Sequence, residues 1–323
     1  MQESYQLNNN TRQVEFDLVR GICILYIIGI WHLNEYINPV YHFSGTILQI
    51  LHKVTEIVLA TFTFISGYFL SKYNFNTIKD VIDFYKKRFI RFGILLLLSS
   101  LSFYFLGWID FSQIILIVLG INMFTTNITP TLWFFSMIIL FYLFTPIMRI
   151  GVKYNTKVEH LILTVFIYVF FIIAVYFYHS DYRLILYFPV YYIGLNFNKL
   201  KRCSYNVLLF YALIISSFLL LASMYYNLKL IELALLISSV LFLVSFLYLT
   251  YNKRYNRIIE FVSYSSMSAY LFHRQILSAV RQFTGLGYIP IHIALITIIM
   301  IFVISYYIQK GYDYFINYYY GSK

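Results

Sequence analysis

The chain has 323 residues, of which 61% are hydrophobic and only 11% charged, and its formal net charge is +11. A soluble domain carries about 25% charged residues, so this chain lacks the polar side chains to cover a water-facing globule of its size. Disorder is excluded too, because it needs low hydrophobicity. A polytopic membrane protein remains, folded as one unit over residues 1–323 with tails at 1–13 and 318–323. The basic excess then reads as orientation signal in loops. The basic residues are dispersed between apolar runs, no nucleic-acid motif is present, and no nucleic-acid partner is expected.

A spanning helix needs about 20 largely apolar residues. Such runs lie near 18–37, 47–70, 89–107, 131–149, 160–179, 184–198, 206–227, 230–251, 260–282 and 289–309. The expected fold is therefore an all-α bundle of about ten transmembrane helices. The apolar segment 112–124 is short, and runs of about 10–14 residues more often re-enter or lie in the interface. With that segment non-spanning and the N-terminus inside, the cytoplasmic loops hold 19 of the 24 Lys and Arg. A spanning 112–124 would turn every later basic loop outward. The asymmetry places both termini in the cytoplasm, in the cell membrane. The polar first 20 residues, with no small-residue cleavage site after the apolar run, argue for a retained first helix rather than a cleaved signal.

Cys23 and Cys203 fall in no CxxC or Cys/His spacing, so free thiols and no metal site are expected. The 34 Tyr and 32 Phe suit lipid-facing and interfacial positions as well as an aromatic sugar cleft.

Ionisable residues within apolar runs are costly, by about 2.5 kcal/mol or more near the bilayer centre, and mark interior cavities. His32 and Glu35 stand in the first run. They are three residues apart, which on an α-helix puts them on one face and lets the carboxylate orient the imidazole. An equally open reading has His32 capping the outer helix end. Lys53, Glu56 and Glu232 lie near helix ends, where they can snorkel. Ser266, Tyr270 and His273 fall at i, i+4 and i+7, an inward polar stripe whose simplest role is interhelical hydrogen bonding. Arg88 and Arg91 open the third run, where topology competes with phosphate binding as their purpose.

Four segments, in order, then carry a family resemblance: Phe16-Asp17-Leu18-Val19-Arg20-Gly21 with His32; Phe64-Ile65-Ser66-Gly67-Tyr68-Phe69-Leu70; Leu132-Trp133-Phe134-Phe135; and Tyr270-Leu271-Phe272-His273. In these the chain resembles the acyltransferase 3 family of integral membrane acyltransferases. The resemblance implies transfer of an acyl group, most often acetyl, from a cytosolic coenzyme A thioester to a hydroxyl of a surface polysaccharide or lipid-linked glycan. The donor would be a co-substrate, with no bound cofactor. His32 corresponds to the family's catalytic histidine, as general base or transient acyl carrier, with Glu35 beside it. Arg20, Arg88 and Arg91 fall at donor-binding positions, and Asp17, Trp133, Ser266, Tyr270 and His273 at further pore-facing ones. Membrane lipids and envelope polysaccharide assembly proteins are the other expected partners.

One spacing departs from the family. Ten residues usually separate the arginine from the histidine; here there are 11. The two side chains would stand about 120° apart on a regular α-helix rather than about 20°. A π-bulge between Ile24 and Trp31, with Gly29 as its weak point, would restore a shared face and aim both into one cavity. Buried His and Glu also build proton relays, so a transporter or flippase is the competing class; no related halves with broken helices are visible to support it. A non-enzymatic export partner, needing no His32, is the third.

Overall fold

The computed structural model describes residues 14–73, 75–125, 129–149, 157–200, 205–225, 228–250 and 256–320. The expected tail 1–13, the last three residues of the tail 318–323, Cys203, and most of the basic loops at 149–159, 199–205 and 252–259 lie outside these residues.

Eleven α-helices make up most of the described chain: α1 (Val14–Tyr26), α2 (Gly45–Leu70), α3 (Ile78–Phe105), α4 (Phe111–Val118), α5 (Trp133–Arg149), α6 (Lys157–Tyr178), α7 (Arg183–Leu200), α8 (Tyr205–Tyr225), α9 (Lys229–Thr250), α10 (Arg257–Thr284) and α11 (Ile291–Tyr320). No strand occurs among the described residues, only an isolated bridge between Ile37 and Ile289. Four stretches are long and apolar enough to cross a membrane on those grounds alone: Gly45–Leu70, Ile78–Phe105, Leu161–Tyr178 and Ile291–Tyr319. Much large apolar surface points outward, including Phe166, Phe177, Leu295, Ile296 and Ile299. Contiguous patches of that kind are rare on soluble monomers, and lipid is the solvent that suits them. Helix α10 inverts the pattern. Ser263, Ser265, Ser266, Ser268, His273 and Ser278 are buried, so its polar face is turned into the bundle and its low hydropathy is a mark of interior position.

The segment expected not to span divides into α4 and a 3₁₀ turn, Ile121–Phe124. A capping box between Asp110 and Gln113 starts α4, and Gly120 ends it at φ 75°, a left-handed conformation that favours glycine. Eight residues reach about 12 Å, well short of a hydrocarbon layer of about 30 Å. A second capping box, Thr77 with Asp80, starts α3.

Helices α2 and α7 meet backbone to backbone. A Cβ on Gly67 would collide with the Tyr191 carbonyl, and one on Gly194 with the Phe64 carbonyl. Small residues at a helix crossing permit this approach, and dispersion at close range then holds membrane helices together. Phe64 and Phe197 pack edge to face beside the crossing.

Lys53, Glu56 and Glu232 do not snorkel. Lys53 Nζ lies 2.7 Å from Glu232 and 3.4 Å from Glu56, and Lys229 lies 3.0 Å from Glu232. The charges are compensated within the protein, tying α2 to α9, because both helices bring opposite charges to the same level.

Candidate active site

Helix α1 does not continue as an α-helix to His32. Residues Ile27–His32 form a π-helical turn, and Leu33–Glu35 then tighten into a 3₁₀ turn. The widened turn takes up the one residue by which the Arg20 to His32 spacing is long. Gly29 sits within it, though a Cβ there would meet only Ile298 Cδ1 at 3.5 Å, so no steric demand for glycine exists at that point.

The partner of His32 is His273. Nε2 of His273 lies 2.6 Å from Nδ1 of His32. The ring planes are inclined at 21° with centroids 4.7 Å apart, and that separation, with the 2.6 Å N···N contact, sets the rings edge to edge. Both rings are buried. Glu35 was expected to orient His32 but turns away. Its carboxylate receives Arg274 at 2.6 and 2.7 Å and is half-exposed. The cause is the change of helix type: a π turn followed by a 3₁₀ turn breaks the α-helical phase on which the i, i+3 argument rested.

Two cavities approach each other at this level. One, of about 250 Å³, is lined by His32 together with Trp31, His52, Thr55, Glu56, Thr131, Trp133, Tyr182, Arg183, Tyr187 and Tyr270. The other, of about 630 Å³, is lined by Asp17, Arg20, Ser66, Lys72, Arg88, Arg91, Phe134, Phe135, Ser266 and Tyr270, among others. The expectation that Arg20 and His32 share one cavity is corrected. They line different cavities, and Tyr270 stands on the boundary of both, packed against Phe134 and Phe135 with centroids at 5.5 and 5.6 Å. The reason is length: about 18 Å of helix separates the two residues.

The larger cavity is basic at its rim. Arg20 lies over the Phe69 ring at 4.8 Å and 3.8 Å from Asp17. Asp17 in turn accepts from Ser263 Oγ at 2.7 Å, and Ser266 Oγ donates to the Ser263 carbonyl. Arg88 is held against Tyr73, bonding its hydroxyl at 3.1 Å with the guanidinium 5.2 Å from the ring centroid. Its Nε is buried and has no hydrogen-bond partner among the described residues.

The smaller cavity contains residues that sequence reasoning passed over. Arg183 stacks on Trp133 at 3.9 Å and is fixed by Asp181 at 2.8 Å. Thr131 has φ 68° although it is β-branched, and its buried Oγ1 has no partner among the described residues. Strain of this kind costs about 1–3 kcal/mol and gathers at ligand clamps and active sites. The available signals were the position of Thr131 directly before Leu132-Trp133-Phe134-Phe135, and an isolated charged pair, Asp181 and Arg183, between two apolar runs. Among the described residues, no group of three His, Cys, Asp or Glu is placed to hold a metal ion.

A helical bundle coated in apolar side chains, with two internal cavities that meet at Tyr270, one of them lined by the buried His32, is the architecture of a membrane protein. The family model described as an acyltransferase domain matches residues 13–310, and the chain belongs to that family, acyltransferase 3. The class is thereby a membrane acyltransferase. No curated protein and no solved structure matches the chain.

Proposed function

We propose that the protein moves an acyl group, acetyl above all, from a cytosolic coenzyme A thioester to a hydroxyl of a cell-surface polysaccharide or lipid-linked glycan. The basic cavity takes the donor. Arg20, Lys72, Arg88 and Arg91 line it, and guanidinium forks suit phosphate oxygens. The thioester, on a long thin arm, reaches past Tyr270 toward His32. The acceptor enters the smaller cavity, where Trp133 and the neighbouring tyrosines offer flat faces and Arg183, Glu56 and Thr131 offer polar contacts.

In the transfer, His32 removes the hydroxyl proton as the acceptor oxygen bonds to the acyl carbon. The carbon–sulfur bond then breaks, and the thiolate leaves with its electron pair and receives a proton in turn. A sugar hydroxyl is a weak nucleophile, and general-base help is worth about 10²–10⁴-fold. The oxyanion formed in attack needs a donor; the unpartnered Thr131 hydroxyl and the Tyr270 hydroxyl are the candidates. In this reading the expected ten spans with both termini inside turn the basic cavity to the cytoplasm, where coenzyme A thioesters are made, and the His32 cavity to the exterior.

The single observation that carries this reading is the meeting at Tyr270 of a basic cavity and a polar aromatic cavity, the latter lined by His32. A transporter would instead need one path that opens alternately. The test is consumption of acetyl-coenzyme A by purified protein given a hydroxylated glycan, with His32→Ala as control. Loss of transfer in a folded variant supports the reading, and equal transfer refutes it.

A further inference from the structure

We propose that His273 is a positioning residue that fixes the tautomer of His32, and so makes Nε2 of His32 the proton-accepting atom. The inference rests on the reading of His32 as the base and adds which nitrogen acts and why.

The argument is one of donors and acceptors. Nδ1 of His273 faces two backbone carbonyls of its own helix, Tyr270 O at 2.8 Å and Ala269 O at 3.0 Å. Carbonyl oxygens only accept, so Nδ1 carries the hydrogen. In the neutral ring Nε2 is then a lone pair. That lone pair lies 2.6 Å from His32 Nδ1, and an N···N contact at this distance requires one hydrogen between them. With both rings neutral, His32 must supply it. Nδ1 of His32 is therefore the donor, and Nε2 is left with its lone pair for a ligand in the cavity that His32 lines. With this N···N distance, the 4.7 Å between ring centroids puts the contact close to the line of both ring edges, the direction that such a bond prefers.

The arrangement parallels the logic of a base oriented by a third group, with backbone carbonyls in the place of a carboxylate. Neither partner adds a formal charge to the bundle interior. When His32 takes the hydroxyl proton on Nε2, its Nδ1–H is already directed at the His273 lone pair, which meets the new positive charge at once. Glu35, the carboxylate nearest in sequence, is occupied by Arg274 and does not compete. His273 is fully buried, and its backbone anchors move with α10, so the orientation is built into the helix.

The decisive measurement is ¹⁵N NMR of the full-length protein with labelled histidine, assigned by His32→Gln and His273→Gln. The expected result is His32 protonated at Nδ1 and bare at Nε2 in the resting wild type. A hydrogen on Nε2 of His32 would overturn the proposal, whatever the activity. Kinetics give a second test that a purely structural role would not pass. His273→Ala should lower kcat by roughly 10²–10⁴-fold, as loss of a tautomer-fixing partner does elsewhere, with KM for donor and acceptor little changed. In His273→Gln an amide oxygen can accept from His32 Nδ1–H, so this variant should recover at least about tenfold over His273→Ala. A kcat for folded His273→Ala equal to wild type, or equal losses in both variants, would overturn the proposal. Failure of the underlying reading would look different: His32→Ala would remain active, whichever tautomer the spectrum reports.

Discussion

Replacing Arg88 and Arg91 by Gln should weaken binding of coenzyme A by roughly 10²-fold. Hydrogen bonds to charged groups contribute about 1.5–3 kcal/mol each. The lower figure applies here, because Arg91 is exposed and Arg88 half-buried, so water screens part of each interaction. Two such contacts amount to about 3 kcal/mol, which is about two orders of magnitude in Kd. Arg88 should account for the larger share, since Tyr73 holds its guanidinium in place and its Nε is unpartnered. The assay is a calorimetric titration of the detergent-purified protein with coenzyme A, paralleled by pantetheine, which has the arm but no phosphate. Pantetheine should bind wild type and variant alike. A change in coenzyme A affinity below about threefold, under 0.7 kcal/mol, in a variant with unchanged melting temperature, would return both arginines to orientation of the chain alone.

Other outcomes follow from the same geometry. Thr131→Val keeps the shape and removes only the unpartnered hydroxyl; kcat should fall about 10-fold or more if that group meets the oxyanion, whereas an unchanged kcat would exclude the contact. Glu35→Gln should alter kcat by less than about threefold, because a half-exposed pair with Arg274 contributes about 0–1 kcal/mol; a loss as deep as that of His32→Ala would restore Glu35 to the chemistry. Gly194→Ala places a methyl group against the Phe64 carbonyl and should cost about 1–3 kcal/mol, read as a lower melting temperature. For topology, a single cysteine at Val40 should react with an impermeant reagent in intact cells and one at Tyr319 should not, in a background lacking Cys23 and Cys203. The opposite pattern would invert the proposed orientation.

The all-helical character is legible from apolar run lengths, though only four of the described helices are long and apolar enough to span on those grounds alone. The short segment at 112–124 is recognisable for the same reason, and the break between its helix α4 and the following turn at Gly120 is a local backbone event. The surplus residue between Arg20 and His32 pointed to a widened turn because helical phase is arithmetic. Pairings across helices were not accessible in this way. His32 and His273 are 241 positions apart, and their contact depends on how α1 and α10 pack. Glu35 misled because the i, i+3 rule assumes one helix type, and here the chain passes through two others within nine residues. The separation of the two cavities depends on where Phe134, Phe135 and Tyr270 point, which spacing alone does not determine. Thr131 was hidden because backbone strain has no compositional signature in a β-branched residue.

The most direct measurement of the central claim uses proteoliposomes with acetyl-coenzyme A supplied only at the face bearing Arg88 and Arg91, and a hydroxylated glycan only at the face bearing Val40. The account predicts acetylated glycan with wild-type protein and none above background with folded His32→Ala. Equal product from the His32→Ala variant, or product only when donor and glycan share one face, would contradict it.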